Sequence, residues 1–142
     1  MQHSVYLAAF WPQKGQSAIE MVGGELPGWM AARDDGTVAA SSDLEVVQQT
    51  LCADIDAERF AKEVYPRYVL ASLSSAATPS TAPLPQHPTT YIICEQDQAS
   101  PQAQEAMSSA ADHVIRLPSS HSPFLSMPKQ LARTLGGAVS SA

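Results

Sequence analysis

Positive charge is scarce in this chain: eight lysines and arginines stand against fourteen aspartates and glutamates, for a net charge of -6. The few cations are scattered, which excludes a partner held through its phosphate backbone, and with it a nucleic acid. Cysteine is scarce as well. Cys52 and Cys94 lie far apart and neither forms a CxxC pair, so no zinc or redox motif is present, and both read as reduced, buried thiols of a cytoplasmic protein. Long hydrophobic runs are missing. The first apolar run, "VYLAAFW", is too short to cross a bilayer and lacks the basic start and small-residue cleavage site of a signal peptide, so no membrane association or export is expected.

What is there is a globular chain of 142 residues, 44% hydrophobic and 15% charged, enough for one domain with its own core. Apolar, β-prone runs occur at Ser4–Phe10, Thr89–Cys94 and His113–Leu117. None alternates cleanly, which predicts strands covered on both faces, as in a parallel sheet. Between the second and third lies "SPQAQEAMSSAA", with Ser100 as N-cap and Pro101 at the first helical position. After the third, Ser126 is placed to cap "MPKQLARTL", with Gly136 and Gly137 as the stop. The chain therefore ends βαβα.

The stretch between the first two strands is far longer than a crossover needs. "SSDLEVVQQTL" carries a capping-box pattern, Ser42 with Glu45, and "DIDAERFAKEV" can start at Asp56 with Ile55 and Phe60 as a hydrophobic staple. Pro66 should break or kink the second helix, and residues 74–88, rich in proline, should lack regular structure. Trp11, Trp29, Met30, Phe60, Tyr65 and Tyr68 supply the large side chains here, available to line an apolar pocket or to bury against one another.

Chemistry converges on two residues. "TTYIICEQD" ends in Asp97 and "HVIRLPSSHSPF" carries His121 just past its strand. Polar groups at the carboxyl ends of neighbouring parallel strands meet at one sheet edge, where an aspartate can hold one imidazole nitrogen and stabilise the imidazolium. Glu95 is the weaker alternative acid. The competing reading gives both residues only local roles, Asp97 capping a turn and His121 bonding within its serine-rich loop. His3, His87 and His113 have no carboxylate or thiol at ligand spacing, so neither a metal nor another cofactor is expected.

"SVYLAAFWPQKGQS", "HPTTYIICEQDQASPQAQEAM" and "ADHVIRLPSSHSPFLSMPKQLARTL" resemble the C-terminal half of α/β-hydrolase-fold proteins, in particular bacterial relatives of the plant esterase and hydroxynitrile lyase group. The resemblance implies an α/β fold of about three parallel strands flanked by helices, with residues 1–10 a strand, 11–88 a helical cap and Pro-rich linker, and 89–142 the βαβα unit. It places Asp97 and His121 at the positions of the family's triad acid and histidine. The cyanohydrin-cleaving members carry a lysine directly after that histidine, where this chain has Ser122, so ester hydrolysis is the implied reaction, on a small apolar or aromatic ester.

The family's nucleophile sits on a G-x-S-x-G elbow, and no such spacing occurs in this sequence. Acid and base without an attacking hydroxyl do not perform acyl transfer. The expectation is therefore a truncated hydrolase, inactive alone, whose first strand is an unpaired apolar edge inviting a homodimer or complementation by an N-terminal half. The alternative expectation is a non-enzymatic module that binds a ligand or partner through its cap and exposed edge.

Overall fold

The computed structural model describes residues 2–140. Three strands form a parallel sheet in the order β1 (Ser4–Leu7), β5 (Thr89–Cys94), β6 (His113–Leu117). Register runs Ser4 opposite Thr89 and Thr90 opposite His113. β5 is the centre, buried at all six positions, and its alternation serves two cores. Tyr91 and Ile93 pack with Trp11 and with Met107 of α4 (Pro101–Ser108), while Ile92 packs with Leu117 and with Leu131 of α6 (Pro128–Ser140). Both faces of β5 are thus covered, the layering that an apolar, non-alternating strand requires.

Coverage on both faces holds for β5 alone. β1 is half-buried throughout, and in β6 His113, Val114 and Arg116 are exposed, because both are edge strands here. β1 also stops at Leu7, short of the expected Phe10: Ala8 adopts φ 42°, a left-handed conformation that turns the chain out of the ladder while its N–H still reaches Ile92 O at 3.0 Å.

Between β1 and β5, the helices form where the sequence puts them, and only the cap of the first is shifted. α1 (Leu44–Leu51) is capped by Asp43, whose side chain accepts from Val46 N, rather than by Ser42. α2 (Ala57–Arg59) is capped by Asp56, and the flanking Ile55 and Phe60 are buried in one cluster with Val47, Leu51 and Cys52. Its continuation shows how Pro66 is accommodated. The helix widens to π spacing over Phe60–Val64, with Tyr65 N–H reaching back to Phe60 O, and then tightens to a 3-10 turn over Tyr65–Arg67. Proline offers no N–H and crowds the carbonyl four residues back, and the changed spacing relieves both.

Two features of this segment went unread in the sequence. An antiparallel sheet joins β2 (Met30–Ala32), β3 (Thr37–Ala40) and β4 (Ala71–Ser72). The β2–β3 turn closes on Gly36 at φ 78°, so the Asp35-Gly36 pair was the available hairpin signal. A short helix α3 (Leu73–Ala77) precedes the irregular stretch, so residues 74–77 have the regular structure that the prolines further on were expected to exclude.

At the C-terminal end, Pro123–Ser126 forms a short helix α5, and Leu131 N–H bonds to Met127 O, which makes Met127 rather than Ser126 the cap position of α6. α6 runs through Gly136 and Gly137 to Ser140, so these glycines do not stop it. Glycine permits a stop but does not impose one. No helix among the described residues is long and apolar enough to cross a membrane.

Candidate active site

The carboxyl ends of β5 and β6 deliver Asp97 and His121 to one place. Past the strands the ladder continues, Glu95 N–H to Leu117 O and Gln96 N–H to Ser119 O, both at 2.9 Å, so the two turns are held edge to edge. His121 Nδ1 lies 2.8 Å from Asp97 Oδ2. The Asp97 carboxylate accepts two further bonds, from Ala99 N at 2.7 Å to Oδ1 and from Gln104 Nε2 at 2.7 Å to Oδ2. A buried charge is tolerated when its oxygens are fully engaged, as they are here. The Asp97 side chain is 0% exposed and that of His121 30%, so the acid is sealed from water while the imidazole remains reachable.

An ionised carboxylate only accepts, so the His121 nitrogen facing it must carry the proton. That tautomer leaves the lone pair on Nε2, the arrangement of a general base. Glu95, the alternative acid, is exposed and takes no part. The remaining histidines are engaged elsewhere: His3 Nε2 is 2.9 Å from Thr90 Oγ1, His87 Nε2 is 2.8 Å from Ser4 Oγ, and His113 sits exposed at the start of β6.

His121 lines a cavity of about 440 Å³. Its walls are largely apolar: Trp29, Leu51, Val64 and Tyr68 from the segment between β1 and β5, Phe124 and Leu125 from α5, with Glu63 and Arg67 as the charged members. Of the six large side chains proposed from sequence as pocket walls, Trp29 and Tyr68 line this cavity. Trp11 instead stacks on Tyr6 at 4.1 Å, Phe60 and Tyr65 belong to the helical core, and Met30 lines a smaller cavity. Cys52 approaches the Tyr68 hydroxyl at 3.9 Å, and burial pushes the Cys52 thiol and the Tyr68 phenol up. Both are therefore neutral at physiological pH, in keeping with an apolar wall.

Two supporting residues were not singled out in the sequence. Gln104, fully buried on α4, accepts from Cys94 N at 2.9 Å through Oε1 and donates to Asp97 through Nε2, tying the end of β5 to the acid. Its signal was available: it faces the strand end from the first turn of the helix that directly follows Asp97. Asp54, between α1 and α2, accepts from Ser120 N at 3.0 Å and from the Ser120 hydroxyl. Burial is the largest single influence and raises its pKa, but hydrogen bonding to the charged form by Ser120, Ser126 and its own backbone N–H together outweighs it, and the carboxyl sits below the ordinary aspartate range. No local pattern marks Asp54, since its partner lies 66 residues away.

The chain is similar to proteins of the alpha/beta hydrolase family and to solved structures of hydrolases and an esterase. A model of the alpha/beta hydrolase family matches residues 2–134. A pyrethroid hydrolase structure superposes with a TM-score of 0.75 at 22% identity, covering 95% of this chain and 59% of that one. The pyrethroid hydrolase from Sphingobium faniae JZ-2 superposes at 0.73 and 23% identity, with the same two coverages. Polyneuridine aldehyde esterase superposes at 0.69 and 15% identity, covering 94% of this chain and 60% of that one. At these identities the likeness is one of fold, and the chain spans about three-fifths of the length of these structures. A search of curated proteins finds no match.

Proposed function

Since the chain belongs to the alpha/beta hydrolase family, we propose that Asp97 and His121 are the acid and base of a serine hydrolase acting on carboxylic esters, with the attacking serine supplied by residues outside these 142. The observation that carries this reading is the 2.8 Å contact of His121 Nδ1 with a fully buried Asp97 carboxylate beside an apolar cavity. On this reading residues 11–88 are the cap, and the cavity beneath them takes the acyl or alkoxy part of a small apolar or aromatic ester. The pyrethroid hydrolases and the esterase among the fold neighbours favour an ester substrate.

The chemistry follows from the tautomer. His121 Nε2 takes the proton of the serine hydroxyl as its oxygen adds to the ester carbonyl, and Asp97 stabilises the imidazolium that forms. Nε2 then gives that proton to the departing alkoxide, releasing the alcohol and leaving an acyl-serine. Water repeats the sequence: Nε2 accepts its proton, hydroxide adds to the acyl carbon, and the serine leaves with the proton returned. The oxyanion on the carbonyl requires backbone N–H donors of the elbow and of an earlier loop, both again outside this chain. Ser122, 4% exposed, follows His121 where a cyanide-stabilising lysine would stand, which favours hydrolysis over cyanohydrin cleavage.

The reading predicts that the chain alone hydrolyses 4-nitrophenyl acetate no faster than its His121→Ala variant. Turnover that His121→Ala abolishes would place a nucleophile among the chain's own serines and sink the proposal of an external one.

A further inference from the structure

The turn between α1 and α2 grips the histidine loop through a contact that the proton relay itself does not use. Asp54 accepts the Ser120 backbone N–H on Oδ2 at 3.0 Å and the Ser120 hydroxyl on Oδ1. Ser120 is 0% exposed and directly precedes His121. The turn that carries Asp54 is itself fixed: Ile55 N–H bonds to Cys52 O at 2.9 Å, Gln48 Nε2 donates to Ile55 O at 2.7 Å, and Cys52 and Ile55 are buried in the helical core. A carboxylate on a rigid turn therefore holds both hydrogen-bond donors of the residue from which the chain enters His121.

We propose that Asp54 is a positioning residue for His121, acting through Ser120. Tying the Ser120 N–H sets the peptide plane that leads into it, and tying the hydroxyl sets its side-chain torsion, so its Cα has little freedom. Asp97 holds the imidazole at Nδ1 and Asp54 holds the backbone behind it. The two aspartates reach the histidine from opposite parts of the chain, one from the end of β5 and the other from between the two helices. Leu51, on the helix that ends just before Asp54, also lines the cavity, so the grip links the cavity wall to the alignment of the base. Hydrogen bonds to a charged acceptor are roughly twice as strong as neutral ones, which suits this contact to hold a loop in register.

The inference rests on the reading of His121 as the base, and the test separates the two. In the ¹⁵N-labelled chain, the His121 Nδ1 proton should appear as a downfield, slowly exchanging resonance that Asp97→Ala removes. Asp54→Ala should speed its exchange about tenfold or more, the equivalent of losing hydrogen bonds to a charged group. Asp54→Asn, which keeps one acceptor oxygen, should fall between, and amide exchange along β5 should not change. A resonance present and Asp97-dependent but unmoved by either Asp54 variant would overturn this proposal and leave the acid–base pair standing. Acceleration shared by the β5 amides would also overturn it, as a mere loss of stability. Absence of the resonance in the unsubstituted chain would overturn both. Should Asp54→Ala fail to fold, Asp54→Asn decides on the same criteria.

Discussion

Replacing Gln104 with leucine is expected to destabilise the chain by about 3 kcal/mol and to loosen Asp97 from His121. The substitution keeps the volume but removes the amide that answers two groups at once, the Cys94 N–H through Oε1 and the Asp97 carboxylate through Nε2. A hydrogen bond to a charged group contributes about 1.5–3 kcal/mol, and a buried donor left without a partner costs about 1–3 kcal/mol more. Gln104 and Asp97 are 0% and 1% exposed, so water cannot replace the lost amide without opening the helix that covers them. A urea titration followed by circular dichroism checks the magnitude. A midpoint unchanged from the original chain would mean that Asp97 is held by its other contacts alone.

Phe60→Ala should have a comparable or larger effect, about 3–5 kcal/mol, in the range for a large aromatic truncated in a packed core. Phe60 is 1% exposed, packs with Val47, Leu51, Cys52 and Ile55, and meets the Tyr65 and Tyr68 rings at 6.1 and 6.5 Å. It sits where the helix changes to π spacing, so its loss removes the contact that holds the irregular turn leading to Pro66. Leu51, Val64 and Tyr68 line the cavity from this same region, and the variant should lose the cavity wall along with stability. The measurement is the shift in denaturant midpoint. A shift below roughly 1 kcal/mol would show that the helical segment is not packed around this ring, against the range expected for such a truncation.

The sheet was legible because its signals are local. Thr89–Cys94 and His113–Leu117 form strands with the bounds that their apolar, β-branched composition dictates, and α4 opens at Pro101 with Ser100 in the cap position, although the Ser100 side chain makes no capping bond. Placing Asp97 and His121 just past neighbouring strand ends left two readings open, a meeting at one sheet edge or separate local roles, and the family resemblance favoured the first. Signals that depend on partners were not legible. The β2–β3–β4 sheet draws on Ala71 and Ser72, more than thirty residues from β3, and the Asp54–Ser120 contact spans still more of the chain. Gly136 and Gly137 failed as a stop because α6 is held by the packing of Leu131 and Leu135 against the sheet, which outweighs the weak preference of glycine against a helix. The capping box on Ser42 slipped by one position because Asp43 offers an equally good oxygen to the same first turn.

Asp97 and His121 are proposed above as the acid–base half of an esterase whose nucleophile lies on another stretch of chain. The most direct test of that proposal is complementation: the chain is co-expressed with a segment bearing a strand, a G-x-S-x-G elbow and the loop that completes the oxyanion hole, and ester hydrolysis is measured. We expect turnover in the mixture that falls by about 10⁴-fold or more on His121→Ala or Asp97→Asn. Turnover in the mixture that survives His121→Ala would contradict it.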